Sequence, residues 1–221
     1  MRRFLRENGL SIVMFGLFLV FLLLQSLAGW RTANQEHQEH GQPTESYLSY
    51  VGSGAFVEST FENWESEFLQ MAGFVLLTVF LRQKGSPESK RLRGEEPVDE
   101  DPRQVRARRG VPGPVRRGGL ALAVYQNSLS LALVALFLLS FLLHALGGHA
   151  DHNQQQLQHG QPPTSLVGFV TSSQFWFQSF QNWQSEFLAV FALTVLGIFL
   201  RQRGSPESKP VAAPHTETGS P

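Results

Sequence analysis

Apolar positions along the chain gather into four runs separated by long polar stretches. The first, Leu10 to Gly29, reads LSIVMFGLFLVFLLLQSLAG and carries no charge. About 20 such residues, rising 1.5 Å each, cover roughly 30 Å, the hydrocarbon thickness of a bilayer. The third run, Leu129 to Gly147, has the same length and character. The second (Phe68 to Leu81) and fourth (Phe187 to Leu200) hold about 14 residues each, short for a span on their own. Each follows an aromatic stretch, FENWESEFL from Phe61 or FQNWQSEFL from Phe180. Starting these helices at Trp64 and Trp183 lengthens them to about 18 residues and sets an indole at headgroup level. Arg82 and Arg201 close the opposite ends, where a guanidinium reaches water along its aliphatic stem. The pattern predicts four transmembrane helices with Trp64, Trp183, Arg82 and Arg201 as interface anchors.

The second half of the chain repeats the first. Residues 7–90 align with residues 126–209 without a gap at an offset of 119, and 38 of the 84 pairs are identical. HGQP recurs at His40 and His159, FxNWxSEFL at Phe61 and Phe180, and FLRQ(K/R)GSPESK at Phe80 and Phe199. Such self-similarity marks an internal duplication. It also decides how to read the N-terminus. Arg2, Arg3 and Arg6 followed by an apolar stretch and Ser26-Leu27-Ala28 resemble a signal peptide. The first run nevertheless matches the internal third run, so it is expected to be a retained helix. A two-helix unit begins and ends on one side of the membrane, so its copy inserts in the same orientation. The expected fold is all-α: an integral membrane protein with four transmembrane helices arranged as two tandem parallel two-helix repeats. Residues 1–90 form the first repeat and 120–209 the second. Residues 91–119 form a charged cytoplasmic linker and 210–221 a tail, both expected to lack stable structure.

Basic residues set the orientation. The segments before the first run, between the second and third, and after the fourth hold 17 of the 18 lysines and arginines, and the hairpin loops hold only Arg31. The positive-inside rule then places both termini and the linker in the cytoplasm, and residues 30–63 and 149–182 outside. The linker is rich in Arg, Glu, Asp, Pro and Gly and has too little apolar surface to fold alone. Its basic end, RQVRARRGVPGPVRR, offers contacts to anionic lipid headgroups. Enforcement of topology is the preferred role for these arginines.

Composition narrows the chemistry. The formal net charge is zero, which argues against bulk binding of nucleic acid. There is no cysteine, hence no disulfide and no thiolate chemistry. His149 and His152 form an HxxH, but only His40 and His159 correspond between the copies, so no metal is expected. GSPESK lacks the glycines and the Lys-Ser/Thr ending of a phosphate loop. It reads instead as a helix stop at Gly85 or Gly204, then a short helical restart capped by Ser86 or Ser205. Residues 46–59 and 165–179 read as interfacial amphipathic segments that anchor the outer loops. No cofactor and no enzymatic activity are expected.

Glu67 and Glu186 are the most informative acids. They are equivalent in the repeat and lie about 14 residues, roughly 21 Å of helix, from the cytoplasmic end of their helices. An intramembrane carboxylate is costly unless partnered and is by default a candidate site. The nearest candidate partners are Gln25 and His144, themselves repeat-equivalent, and Asn63 and Asn182. These acids either bind an ion or proton or cap their helices at the interface, and the capping role is preferred.

The string FENWESEFLQMAGFVLLTVFLRQKGSPESK, with HGQP upstream, resembles an uncharacterised family of bacterial four-helix membrane proteins recorded as a domain of unknown function. The resemblance covers both repeats and implies a multi-pass protein of the bacterial inner membrane, with no assigned activity. The expected partners are the lipid bilayer, anionic headgroups at the linker and, as an open alternative, a second copy of the chain. The function expected is a non-enzymatic membrane scaffold or envelope protein. The alternative is a small transporter or ion-handling bundle using Glu67 and Glu186.

Overall fold

The computed structural model describes residues 2–218. Met1 and the last three residues of the expected tail lie outside the described residues. Every regular element among the described residues is helical. The elements are α1 (Arg2–Glu39), α2 (Tyr47–Val51), α3 (Gly54–Phe80), a 3-10 turn (Pro97–Asp99), α4 (Gly113–Arg117), α5 (Gly119–Gln126), α6 (Ser128–Gln158), α7 (Leu166–Val170) and α8 (Ser173–Phe199). No proline interrupts α1, α3, α6 or α8, so each backbone satisfies its own hydrogen bonds, as a helix in lipid must.

Three of these helices are long and apolar enough to cross a membrane: α1 from Phe4, α6 and α8. The fourth expected span is α3, which at 27 residues has the same length as α8. It carries Glu62, Glu65 and Gln70 where α8 carries Gln181, Gln184 and Ala189, and this polarity sets it apart.

The helices run well beyond the apolar runs that predict them. α1 continues ten residues past Gly29, and α6 eleven past Gly147. The loops that follow α1 and α6 are therefore shorter than the sequence suggests, and part of each is helical stalk. Both stalks stop in the same way. Gly41 and Gly160 take φ of +67° and +69°. Gln42 N donates to His37 O at 2.7 Å, and Gln161 N to Gln156 O at 2.8 Å. This six-to-one closure around a left-handed glycine is a Schellman stop, with Pro43 or Pro162 preventing continuation. HGQP is thus a helix-termination signal. Its histidine takes part, since Nδ1 of His40 lies 2.8 Å from Glu36 O and Nδ1 of His159 lies 2.8 Å from Gln155 O.

The same offset of 119 governs the element boundaries. α2 and α7, α3 and α8, and the ends of α1 and α6 all differ by that number. Local clips recur with them. Asn34 Oδ1 accepts from Glu45 N at 2.6 Å while its Nδ2 donates to Glu45 O at 3.1 Å. Asn153 does the same with Thr164 at 2.7 and 3.0 Å. Trp30 Nε1 donates to Glu45 O at 2.9 Å, and His149 Nε2 occupies the matching place 2.7 Å from Thr164 O. Ser46 and Ser165 cap α2 and α7 by accepting from Ser49 N and Gly168 N.

The chain packs as two compact units, residues 1–61 with 143–175, and residues 62–142 with 176–221. In the first unit, α3 crosses α6 at backbone distance. A Cβ on Gly54 would fall 2.7 Å from Gly147 O, and one on Gly147 would fall 2.6 Å from Glu58 N. Small residues at a helix crossing allow this approach in a membrane setting. Below the crossing, His144, Phe169 and Phe175 are almost fully buried. His144 stacks on Phe175 at 4.8 Å, and His152 tilts against Phe169 at 5.4 Å.

In the second unit, the linker carries the 3-10 turn and α4, with Lys90–Asp99 and Arg108–Glu100 ion pairs of 2.6 and 2.9 Å. Residues 210–218 fold against the end of α8. Arg201 Nη2 donates to Ala213 O at 3.3 Å, and buried Lys209 donates Nζ to Pro214 O and to Glu217 O.

Candidate functional site

The polar residues of α3 explain which acid is enclosed. Glu62, Glu65, Ser66 and Gln70 are spaced by three, one and four residues, which places them on one broad face of a helix. That face meets α8. Asn182 Nδ2 donates to Glu62 Oε1 at 2.5 Å, and Trp183 Nε1 donates to Glu65 Oε1 at 2.9 Å. Glu65 is 0% exposed, and Ser66 and Gln70 are buried beside it. The indole of Trp183 is held by edge contacts with Phe137 of α6 at 6.3 Å and with Phe180 and Trp176 of α8 at 5.5 and 6.2 Å. One turn deeper, Gly73 faces the ring of Phe187, 3.5 Å from where a Cβ would stand.

Glu67 lies two residues from Glu65 and therefore on another face of α3, where its side chain is exposed. Glu186 is half-buried on α8. The two carboxylates nonetheless lie within electrostatic reach of each other in the second unit. Of their expected partners, Asn63 and Asn182 share the second unit, where Asn182 pairs with Glu62, whereas Gln25 and His144 belong to the first. Gln25 is exposed on α1, with Nε2 3.5 Å from Thr60 Oγ1 of α3. His144 is buried in the aromatic cluster on α6. The structure thus brings together Glu67 with Glu186, and it adds Glu62 and Glu65, whose equivalents in the second copy are Gln181 and Gln184.

The anchors divide in two. Trp64 and Trp183 are both half-buried. Arg82 and Arg201 turn their guanidiniums onto the last carbonyls of α3 and α8, at 3.3 Å to Val79 O and 3.0 Å to Ile198 O. A cation there complements the negative end of the helix dipole.

GSPESK forms a closed turn in both copies, and no helix restarts after it. Gly85 and Gly204 take φ of +91° and +85°. Ser89 and Ser208 accept from Gln83 N and Gln202 N at 2.8 and 3.1 Å, tying the end of the motif back to its beginning. That tie uses the serine that a restarting helix would present to solvent. Glu88 and Glu207, equivalent in the two copies, meet. Burial pushes the Glu88 carboxyl up from the ordinary range, and the Glu207 carboxylate hydrogen-bonded beside it adds to the rise.

A polar cavity of about 110 Å³ lies among the stalks of the first unit, lined by Glu36, His37, His40, Glu45 and Asp151 among others. Among the described residues no three histidines or acids converge to hold a metal ion. His149 and His152 are instead engaged with Thr164 O and the ring of Phe169.

Comparison with known proteins gives one result. The family model described as a domain of unknown function (DUF6766) matches residues 1–220, and the chain belongs to that family. No curated protein and no solved structure matches it.

Proposed function

We propose, taking membership of the DUF6766 family as the premise, that the chain is a non-enzymatic scaffold of the bacterial inner membrane. In this reading α1, α3, α6 and α8 all span, as two parallel hairpins with both termini and the linker in the cytoplasm. The observation that carries it is the equivalence of α3 and α8. They have identical length, boundaries 119 residues apart and the same GSPESK stop, so the helix that crosses on composition has a partner built alike. The polar stripe that distinguishes α3 is turned onto α8, which removes the main cost of placing it in lipid. The exposed surface agrees with an apolar solvent, since Leu10, Phe15 and Phe21 on α1, Leu129 on α6 and Phe191 on α8 are each at least 60% exposed.

A second reading, proton or cation handling, is favoured by the proximity of Glu67 and Glu186. Two experiments separate these readings. Compartment reporters fused at Gly94 and at Gln42 are expected to read cytoplasmic and external, and an external reading at Gly94 overturns the topology. Proteoliposomes holding the Glu67→Gln, Glu186→Gln double variant are expected to match the wild-type chain in ion and proton flux. A flux that the wild type shows and the variant loses replaces the scaffold with the second reading.

A further inference from the structure

The linker delivers two arginines to a cavity beside the start of the third apolar run. Arg103 and Arg106 line a space of about 300 Å³ with Gly119, Leu122, Ala123 and Gln126 of α5. The Arg106 guanidinium lies where a side chain on residue 118 would be, with Nη2 2.8 Å from the Cβ position of Gly118, so glycine there makes its room. The neighbouring acids are turned elsewhere. Glu100 pairs with Arg108 at 2.9 Å, and Asp101 accepts from the backbone N–H of Arg103 at 2.8 Å. No carboxylate lines the cavity, and among the described residues neither guanidinium has an ion pair or hydrogen bond. The remaining wall is Gly119, Leu122, Ala123 and the uncharged amide of Gln126. Leu122 is buried behind it, while Leu120, Val124 and Tyr125 continue the exposed apolar surface of α5 toward Leu129 of α6.

We propose that Arg103 and Arg106 with α5 form a site for the phosphate of an anionic glycerophospholipid, its glycerol and acyl ends lying along the apolar face of α5. Two free guanidiniums supply forked donors matched to phosphate oxygens. The start of an apolar run is where lipid phosphates stand. This rests on the proposed membrane reading and gives the linker a ligand, where the sequence alone favours topology.

The test uses the full chain in mild detergent, exchanged with equal amounts of phosphatidylglycerol and phosphatidylcholine and read by native mass spectrometry. The wild type is expected to retain phosphatidylglycerol selectively. Arg103→Gln with Arg106→Gln is expected to lower that retention roughly thirtyfold, at about fivefold for each arginine near a membrane surface. Arg116→Gln with Arg117→Gln, on α4 outside the cavity, is expected to keep it. Arg103→Lys with Arg106→Lys keeps the charge without the fork and is expected to fall between. Equal retention by the wild type and the first double variant overturns the proposal. So does the absence of selectivity in the wild type. Displacement of the lipid by millimolar inorganic phosphate would assign the cavity to a soluble anion and overturn the lipid assignment. Binding in detergent does not depend on orientation, so failure here and failure of the Gly94 reporter are distinct results.

Discussion

Glu65 of α3 accepts a hydrogen bond from the indole of Trp183 of α8 at 2.9 Å, with the carboxylate wholly enclosed. A buried acceptor that loses a donor loses part of what offsets its desolvation. Trp183→Phe keeps an aromatic side chain but removes the N–H along with part of the indole, and is expected to destabilise the protein by about 1–3 kcal/mol. Glu65→Gln keeps an acceptor in place and is expected to cost less. Unfolding by graded denaturing detergent, followed by circular dichroism, measures both.

The glycine crossing makes a sharper prediction. Gly147→Ala places a methyl group 2.6 Å from the backbone nitrogen of Glu58, a contact that no rotamer relieves. The helices must separate, at a cost of about 1–3 kcal/mol. Gly9→Ala, with nothing within 4 Å, serves as the control and is expected to be neutral or slightly stabilising. Thermal denaturation in detergent distinguishes them.

The two GSPESK turns have like backbones in unlike surroundings. Gly204 has open space around its Cβ position, so Gly204→Ala bears only the left-handed backbone penalty of about 1–2 kcal/mol. At Gly85 a Cβ would meet His215 O and Ile198 Cγ2 at 2.8 Å. Gly85→Ala is expected to lower the Tm further than Gly204→Ala and to release the tail, read as faster proteolysis near His215.

Glu88 gives a pH dependence whose sign is fixed. Its folded carboxyl is raised above the ordinary 4.5 by burial and by Glu207. A raised acid contributes stability below its unfolded pKa and loses it as pH rises through the folded pKa. Wild-type Tm is expected to fall, relative to Glu88→Gln, as pH climbs from about 4 through the region above 4.5. Parallel melts of the two proteins across that range measure the difference, and coincident curves would show that the carboxyls do not share a proton.

The sequence exposes some of these features and hides others for physical reasons. The apolar runs and the repeat announce the long helices because a stretch of about 20 mostly apolar residues is what a lipid-facing helix needs, and duplication leaves matching strings. The stalks are hidden, since residues 30–39 and 149–158 are predominantly polar and hydropathy picks out only apolar runs. HGQP is visible as a string, but its role as a stop depends on the left-handed Gly41 and Gly160. Weight falls on Glu67 because its charge persists in both copies. Persistence carries no information about facing. The spacing of Glu62, Glu65, Ser66 and Gln70 does carry it, and read at helical period it marks Glu65 as inward. The partner that matters, Trp183, lies 118 residues away, and no local pattern joins the two.

The stalks have a practical consequence. Ten residues beyond Gly29 lift the Gly41 turn roughly 15 Å past the end of the apolar run, while the headgroup layer takes up only about 6 Å of that. In the proposed topology the turn therefore stands clear of the lipid on a helical post. In that topology an epitope inserted after Pro43, beyond the Gln42 closure, is expected to be reachable by an antibody from the outer face of the membrane.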